Sequence, residues 1–527
     1  MEYKKLGKIL GKIMILEAVL MLAPLAVSFI YKESFKHVLA FLAPIVVLAA
    51  LGILLQLPKP SRNNLYRKEG FALTAMVWIT MALFGAVPFV INGDIPNYID
   101  ACFEIMSGFT TTGSSIIPDI SAMSHSTLFW RSFSHWIGGM GVLVFVLIFI
   151  PESNEGSSMH LLRAESPGPQ VGKIASKMKV TARILYLIYL GMTAVQIIIL
   201  CWGPLTDYEA MRQALGETAA AAYHNDKIFN ALLTAFGCAG TGGFGFIPGS
   251  IEYFTPFAQY VMSVFLLLFG CNFSLYYLLL IGKIKDIFRS EELKTYLVIV
   301  CGAVGFVFFS LAGKFQAFPQ MYTTEEAFRH SLFQVASVVT TTGFTTTDFG
   351  AWPMLAKTTL VLAMFSGAMA GSTAGGIKLS RFVMAVKGAY INVRKLINPR
   401  YVPKAKFEGK NLEQKTINDV FTFFILYLFI FIAVLFLLAF DGVNGTVVQI
   451  ASDAGTYEVT HGFFSNFSAV LACISNVGPA FEAVGPYSSY AGYNGFSKIL
   501  LTLVMLLGRL EILPVLILFN RRTWKKI

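Results

Sequence analysis

The chain has 527 residues, 55% of them hydrophobic and only 13% charged, with a mean hydropathy of +0.65. Such a composition excludes a soluble globular protein of this size and describes one that crosses a bilayer many times. The formal net charge of +11 comes with no basic stripe interleaved with aromatic residues, which argues against nucleic acid as a partner.

Nearly uncharged runs predict spanning helices near 10–31 and 37–57, an N-terminal pair that precedes the rest. The first has the basic, apolar start of a signal peptide but no small-residue cleavage site, and a second span follows at once, so it reads as a membrane helix. Spans near 70–92 and 125–150 then enclose a shorter apolar stretch, 98–109, and the run Thr110-Thr111-Thr112-Gly113-Ser114. Spans near 183–203 and 257–282 enclose 228–239 and Gly240-Thr241-Gly242-Gly243-Phe244. Those near 295–316 and 356–387 enclose 327–339 and Thr340-Thr341-Thr342-Gly343-Phe344, and those near 418–440 and 497–520 enclose 464–474 and Ser475-Asn476-Val477-Gly478-Pro479. The enclosed stretches are too short to cross a core of about 30 Å but suit re-entrant helices.

The expected fold is therefore an all-α membrane protein. Four pseudo-repeats of helix, re-entrant pore helix, filter loop and helix surround a central pore, with an N-terminal pair of transmembrane helices added. Glycines at 113, 242, 343 and 478 recur at intervals of 129, 101 and 135 residues, a divergent internal repeat. The corresponding division is 1–62 for the helix pair, then repeats 63–157, 158–290, 291–400 and 401–527.

Lys4, Lys5, Lys8 and Lys12, Lys59 to Lys68, Lys173 to Lys179, Lys283 to Arg289, Lys395 to Lys410, and Arg521 to Lys526 fall on one side of these spans. The positive-inside rule makes that side, with both termini, cytoplasmic. The other side carries Asp94, Asp100, Glu104, Asp207, Glu209, Asp441, Asp453, Glu458 and Glu482. An acidic mouth there would concentrate cations, and a solvated loop surface would account for most of these residues singly.

The chemistry of the four runs follows from residue type. A cation that sheds water needs oxygen ligands, which glycine-permitted carbonyls and Thr or Ser hydroxyls supply. No carboxylate stands in any run, which favours a weakly held monovalent cation over a divalent one. Non-helical backbone at membrane depth must line protein or water, so the loops should share one axis. Residues 366–376, Ser-Gly-Ala-Met-Ala-Gly-Ser-Thr-Ala-Gly-Gly, interrupt what would otherwise be one long helix. Lys378 and Arg381 just beyond it are expected to snorkel to the cytoplasmic interface. Arg509 lies midway along the last span, with Glu511 two residues on, where a charge needs a partner or water. Six scattered cysteines, seven unpaired histidines and the absence of a Walker loop argue against an enzyme and against nucleotide binding by this chain.

Longer strings carry a family resemblance. They are Trp130-Arg131-Ser132 with Trp136-Ile137-Gly138-Gly139-Met140-Gly141, Arg163 to Pro169, Gly270-Cys271-Asn272-Phe273-Ser274-Leu275, and Ala370 to Lys378. Asn476 to Pro479 and Gly508-Arg509-Leu510-Glu511 complete the set. Over nearly its whole length the chain resembles the TrkH branch of the Trk/Ktr/HKT superfamily of potassium transporters.

That resemblance implies potassium uptake without a catalytic residue. Gly113, Gly242, Gly343 and Gly478 would be the filter glycines, with Thr111, Thr112, Thr241, Thr342, Asn476 and Val477 beside them holding K⁺, the transported ion. Glycine rather than serine at 113 favours potassium in this superfamily. Gly371, Ser372, Thr373, Gly375 and Gly376 would form an intramembrane gate, with Arg509 beneath the filter. Ala480 after Pro479 and Ala374 inside the third-repeat glycine run depart from the family pattern. The implied assembly is a homodimer in a bacterial or archaeal inner membrane, regulated by a cytosolic TrkA-type nucleotide-binding subunit, with no cofactor bound by this chain. Basic segments such as Arg394 to Lys410 would meet that subunit or anionic lipid. A Na⁺-permeable relative, symport of K⁺ with Na⁺ or H⁺, or a broken-helix transporter of a polar solute are the alternatives.

Overall fold

The computed structural model describes residues 3–59, 67–141, 178–313, 321–398, 406–453, 455–510, 512–520 and 524. The Arg163–Pro169 string, Lys173, Lys177, Glu511 and the basic residues 521, 522, 525 and 526 lie outside the described residues. The protein is a multi-pass helical membrane protein. Among the described residues, six helices are long and apolar enough to cross a membrane, and a seventh crossing counts if one bent pair is taken as a single span.

The repeat unit occurs four times. Its short helices are Tyr98–Phe109, Lys227–Gly240, Thr324–Val339 and Phe463–Ile474, close to the expected stretches. Their starts are set locally. Asn97 accepts from Ile99 N in the first, and Thr323 with Glu326 forms a capping box in the third. Each short helix packs between the second long helix of its own repeat and that of the repeat before, so Tyr98–Phe109 contacts both His125–Gly139 and Gly495–Leu510. The ring is thus closed by the fourth repeat's helix Gly495–Leu510. All four short helices run into their loops at the C-terminal end, so the negative ends of four helix dipoles converge there.

The N-terminal pair packs backbone to backbone. A Cβ at Gly11 would lie 2.6 Å from Gly52 O, and one at Gly52 would lie 2.7 Å from Gly11 O, so only glycine permits this approach. At the turn between its helices the pair is latched to the repeats. Ser126 Oγ donates to Glu33 at 2.5 Å, and the Tyr31 hydroxyl donates to Asp226 at 2.7 Å.

Two expected spans change, and small strand pairs accompany the helical fold. The span expected at 257–282 is two helices, Pro256–Phe269 and Phe273–Leu280, bent by 92°. Gly270 sits where a Cβ would come within 2.7 Å of both Tyr296 Oη and the Thr340 methyl, and Asn272 caps the second half by accepting from Ser274 N. The stretch 356–387 is likewise two helices, Met354–Ser366 and Leu379–Ile397, around an irregular loop. The chain is also not purely helical. Strands Val447–Ser452 and Gly455–Thr460 form an antiparallel hairpin beside the fourth repeat, with Ile450 opposite Tyr457. Residues 142–150 of the helix expected at 125–150 are outside the described residues.

Candidate ion pathway

The second residue of each of the four runs is left-handed, Thr111, Thr241, Thr341 or Asn476, at φ between 54° and 56°. In each, the next residue donates its N–H back to the pore helix: Thr112 to Ser107 O, Gly242 to Gly237 O, Thr342 to Ser337 O and Val477 to Ala472 O, at 2.7 to 2.9 Å. A glycine with positive φ follows: Gly113 at 82°, Gly243 at 75°, Gly343 at 86° and Gly478 at 97°. The equivalent glycine of the second run is therefore Gly243, and the expectation of Gly242 is one residue out of register. Gly242 occupies the position of Thr112, Thr342 and Val477. It is glycine because the His135 ring lies where a Cβ would go. His135 Nδ1 donates to Gly108 O at 2.8 Å and its Nε2 accepts from Phe244 N, which fixes the neutral tautomer.

These loops meet as a ring. A Cβ at Gly113 would overlap Gly242 O, at Gly243 Thr342 O, at Gly343 Val477 O, and at Gly478 it would fall 2.5 Å from Thr112 O. Each glycine thus abuts the equivalent carbonyl of the next repeat, and no other residue fits at any of the four. Above them lies a cavity of about 460 Å³ lined by Gly113, Gly243, Gly343 and Gly478 together. Among the described residues no carboxylate lines it. Its one charged side chain is Arg131, held by Glu104 Oε1 at 2.5 Å and by Gly245 O at 2.5 Å, with its guanidinium over the Phe244 ring. Glu104 also accepts from Ile116 N and Ser115 Oγ, so a buried ion pair fastens the first loop to the second.

The acidic mouth is correspondingly narrower than the sequence implied. Glu104 and Asp441 are buried, Asp100 pairs with Lys498 at 2.9 Å, and Glu482 accepts from Ser465 Oγ. Glu252 and Asp453 stand beside the cavity wall, where the Tyr487 hydroxyl donates to Glu252 at 2.8 Å. Burial pushes the Glu252 carboxyl up to about 7, with Asp453 adding to the rise.

Below the ring the interrupted helix forms a loop crossing under the third and fourth runs. Gly367, Gly371 and Gly376 take φ of 62°, 75° and 72°. Gly375 N donates to Thr341 Oγ1 at 2.8 Å, and a Cβ at Gly375 would lie 2.6 Å from that of Asn476. Thr373 Oγ1 donates to Phe269 O, Phe273 N to Gly371 O, and Met369 N to Gly270 O, so the loop also plugs the break in the second repeat. Ser372 closes its own turn on Met369 O.

Arg509 is at the centre of this layer. Its Nη1 donates to Thr111 Oγ1 at 3.1 Å and Thr373 O at 2.7 Å, and its Nη2 to Gly138 O at 2.5 Å and Gly139 O at 2.8 Å. A guanidinium has enough donors in a fixed fork to join filter base, loop and first-repeat helix end at once. Lys378 and Arg381 do not snorkel. Lys378 is fully buried with Nζ donating to Ala374 O, and Arg381 lies over the Phe423 ring.

The predicted filter residues lie on the four runs that meet in this ring, Gly242 through its carbonyl and one position before the ring glycine Gly243, and the predicted loop residues and Arg509 lie beneath them. Sequence reasoning missed Gly243, Thr341 and the Glu104–Arg131 pair. The shared Gly-Phe ending of the second and third runs carried the signal for Gly243, since Phe244 and Phe344 align only in that register.

Comparison with known proteins extends this column. The family profile described as "TrkH: Cation transport protein" matches residues 37–526. The "Trk system potassium uptake protein TrkH" of Salmonella typhimurium is 30% identical over 539 residues, covering 100% of both chains. The "Trk system potassium uptake protein TrkG" of Escherichia coli is 31% identical, covering 96% of this chain and 95% of its own. The crystal structure of the potassium transporter TrkH from Vibrio parahaemolyticus superposes with a TM-score of 0.80 at 28% identity, covering 100% of both chains.

Proposed function

The chain belongs to the TrkH family of cation transport proteins, and from that membership we propose how the axial column works. The protein is a potassium uptake protein. K⁺ enters from the 460 Å³ cavity, exchanges water for the carbonyls of Thr112, Gly242, Thr342 and Val477 and for nearby threonine hydroxyls, and passes the loop 367–378 when that loop moves aside. The observation that carries this reading is the closed ring of four glycine-to-carbonyl contacts with no carboxylate in it. Converging helix C-termini supply diffuse negative potential that favours a cation without trapping it. A membrane potential of 100 mV, inside negative, contributes about 2.3 kcal/mol per charge, enough for concentrative uptake without a coupled ion.

The family membership also supports both termini in the cytoplasm of a bacterial or archaeal inner membrane, a homodimer, and a cytosolic nucleotide-binding regulatory subunit docking on basic segments such as Arg394 and Lys395. The test of the transport reading is flux of K⁺, Rb⁺ and Na⁺ into proteoliposomes. Flux should favour K⁺ and Rb⁺, and Gly113→Ser should erode that preference. Absence of cation flux, or a preference indifferent to the substitution, would overturn it.

A further inference from the structure

The intramembrane loop is held from its cytosolic side through two carboxylates in line. Glu292, in the first turn of helix Glu291–Leu311 and 4% exposed, accepts from Ala370 N of the loop at 2.8 Å. Its own N–H donates to Glu408 Oε1 at 2.8 Å, and Ser290 Oγ donates to that same oxygen at 3.0 Å. A carboxylate at a helix start both accepts first-turn N–H groups and meets the positive end of the dipole, so Glu408 fixes the turn that carries Glu292.

Glu408 is itself well placed to hold still. It sits at φ 49° beside Gly409 at φ 72°, the tight turn of a hairpin pairing Lys406 with Asn411 and Phe407 with Lys410. Phe407 is buried with Met384 and Val420, which seats the hairpin between helices Leu379–Ile397 and Gln414–Leu438. On the helix leaving the loop, Lys387 bridges the Glu291 carboxylate and Lys406 O. Hairpin, helix start and both ends of the loop therefore form one connected body on the side of the loop away from the filter.

We propose that Glu292 and Glu408 are positioning residues for the gate, and that the hairpin Lys406–Asn411 sets the position of the intramembrane loop through them. The proposal rests on the reading of that loop as the gate. Neither carboxylate touches a filter residue, so their loss should release the loop without altering ion preference. Both interactions are accepted hydrogen bonds, so a side-chain amide should substitute for either carboxylate.

The experiment is Rb⁺ flux and K⁺/Na⁺ preference in proteoliposomes for Glu408→Ala, Glu408→Gln, Glu292→Ala and the double alanine variant, with thermal melts to confirm folding. Glu408→Ala should raise flux by roughly three- to ten-fold with unchanged preference. Glu408→Gln should restore flux near the native level, and the double variant should add little to either single one. Flux at or below native in Glu408→Ala, a shifted preference, or a glutamine variant behaving like alanine overturns the proposal. Should Glu408→Ala not fold, Glu408→Asp, one methylene short of both donors, carries the same expectation. Thr373→Ala, which removes the loop's hydroxyl from Phe269 O and leaves both carboxylates in place, separates the two readings. If it changes flux while Glu408→Ala does not, only the anchor fails, and if neither changes flux, the gate fails with it.

Discussion

Arg509 donates to the Thr373 carbonyl at 2.7 Å, which ties helix Gly495–Leu510 to a loop 136 residues earlier. The same guanidinium holds Thr111 of the first filter run. Replacing Arg509 with alanine removes four donated hydrogen bonds and a positive charge beneath the filter, so cation flux should rise. Lysine, with a single nitrogen, reaches fewer of the four acceptors and should give an intermediate rise. Rb⁺ uptake by the two variants at one imposed potential checks the order alanine, lysine, native.

The register correction gives a sharp comparison of neighbouring glycines. Gly243→Ala forces a left-handed backbone and drives a methyl into Thr342 O, so it should abolish K⁺ preference or conduction. Gly242→Ala meets the His135 ring instead. Its main effect should be on stability, about 1–3 kcal/mol for overpacking. Measuring selectivity and apparent Tm for both variants decides the register, since equal selectivity loss at Gly242 with none at Gly243 would restore the original alignment.

The Glu104–Arg131 pair lies behind the first two loops, at 0% and 2% exposure. Replacing Glu104 alone with glutamine or alanine leaves a buried guanidinium without its counter-charge, at a cost of about 3–5 kcal/mol. The double variant Glu104→Ala with Arg131→Ala should cost less than the sum of the singles. Apparent melting temperatures in detergent measure this, and strict additivity would show that the pair is not coupled.

Glu252 supplies a pH dependence whose sign is fixed by its environment. Its carboxyl is pushed up to about 7 by burial, reinforced by Asp453 and opposed by hydrogen bonds from Tyr487 and Tyr253. A raised acid contributes stability that is fully present below the unfolded value near 4.5 and is lost as pH rises through about 7. Above that midpoint the wall beside the mouth gains a negative charge, so K⁺ uptake at low salt should rise as external pH passes upward through about 7. Glu252→Gln should flatten the profile, and high salt should do the same by screening. An unchanged profile in the variant would assign the dependence elsewhere.

Much of this architecture was legible from local rules. The four short apolar stretches emerged within a few residues of Tyr98–Phe109, Lys227–Gly240, Thr324–Val339 and Phe463–Ile474 because length against bilayer thickness is a one-dimensional property. The Thr/Gly runs announced themselves because left-handed backbone and close carbonyl approach leave few residue choices. The break at Gly270–Asn272 was not legible, since Pro256–Leu280 is uncharged throughout and the freed carbonyls of Phe269 and Gly270 find their partners on the incoming loop, at Thr373 and Met369. The hairpin of Val447–Ser452 and Gly455–Thr460 was missed because its strands are exposed or half exposed apart from Ile450, so their sequence lacks the apolar alternation that marks a buried face.

The sequence by itself determined that this protein crosses a membrane, that its unit repeats four times, and that its special backbone is glycine and threonine rather than acid. Those properties depend on composition, length and spacing, which the chain carries along its own axis. Only the tertiary structure decided that Gly243 rather than Gly242 closes the ring, that Glu104 holds Arg131 rather than facing solvent, and that Lys378 and Arg381 turn inward. Each of those outcomes depends on which carbonyl, ring or charge arrives from a segment tens to hundreds of residues away, and desolvation at that meeting point sets the cost of every alternative.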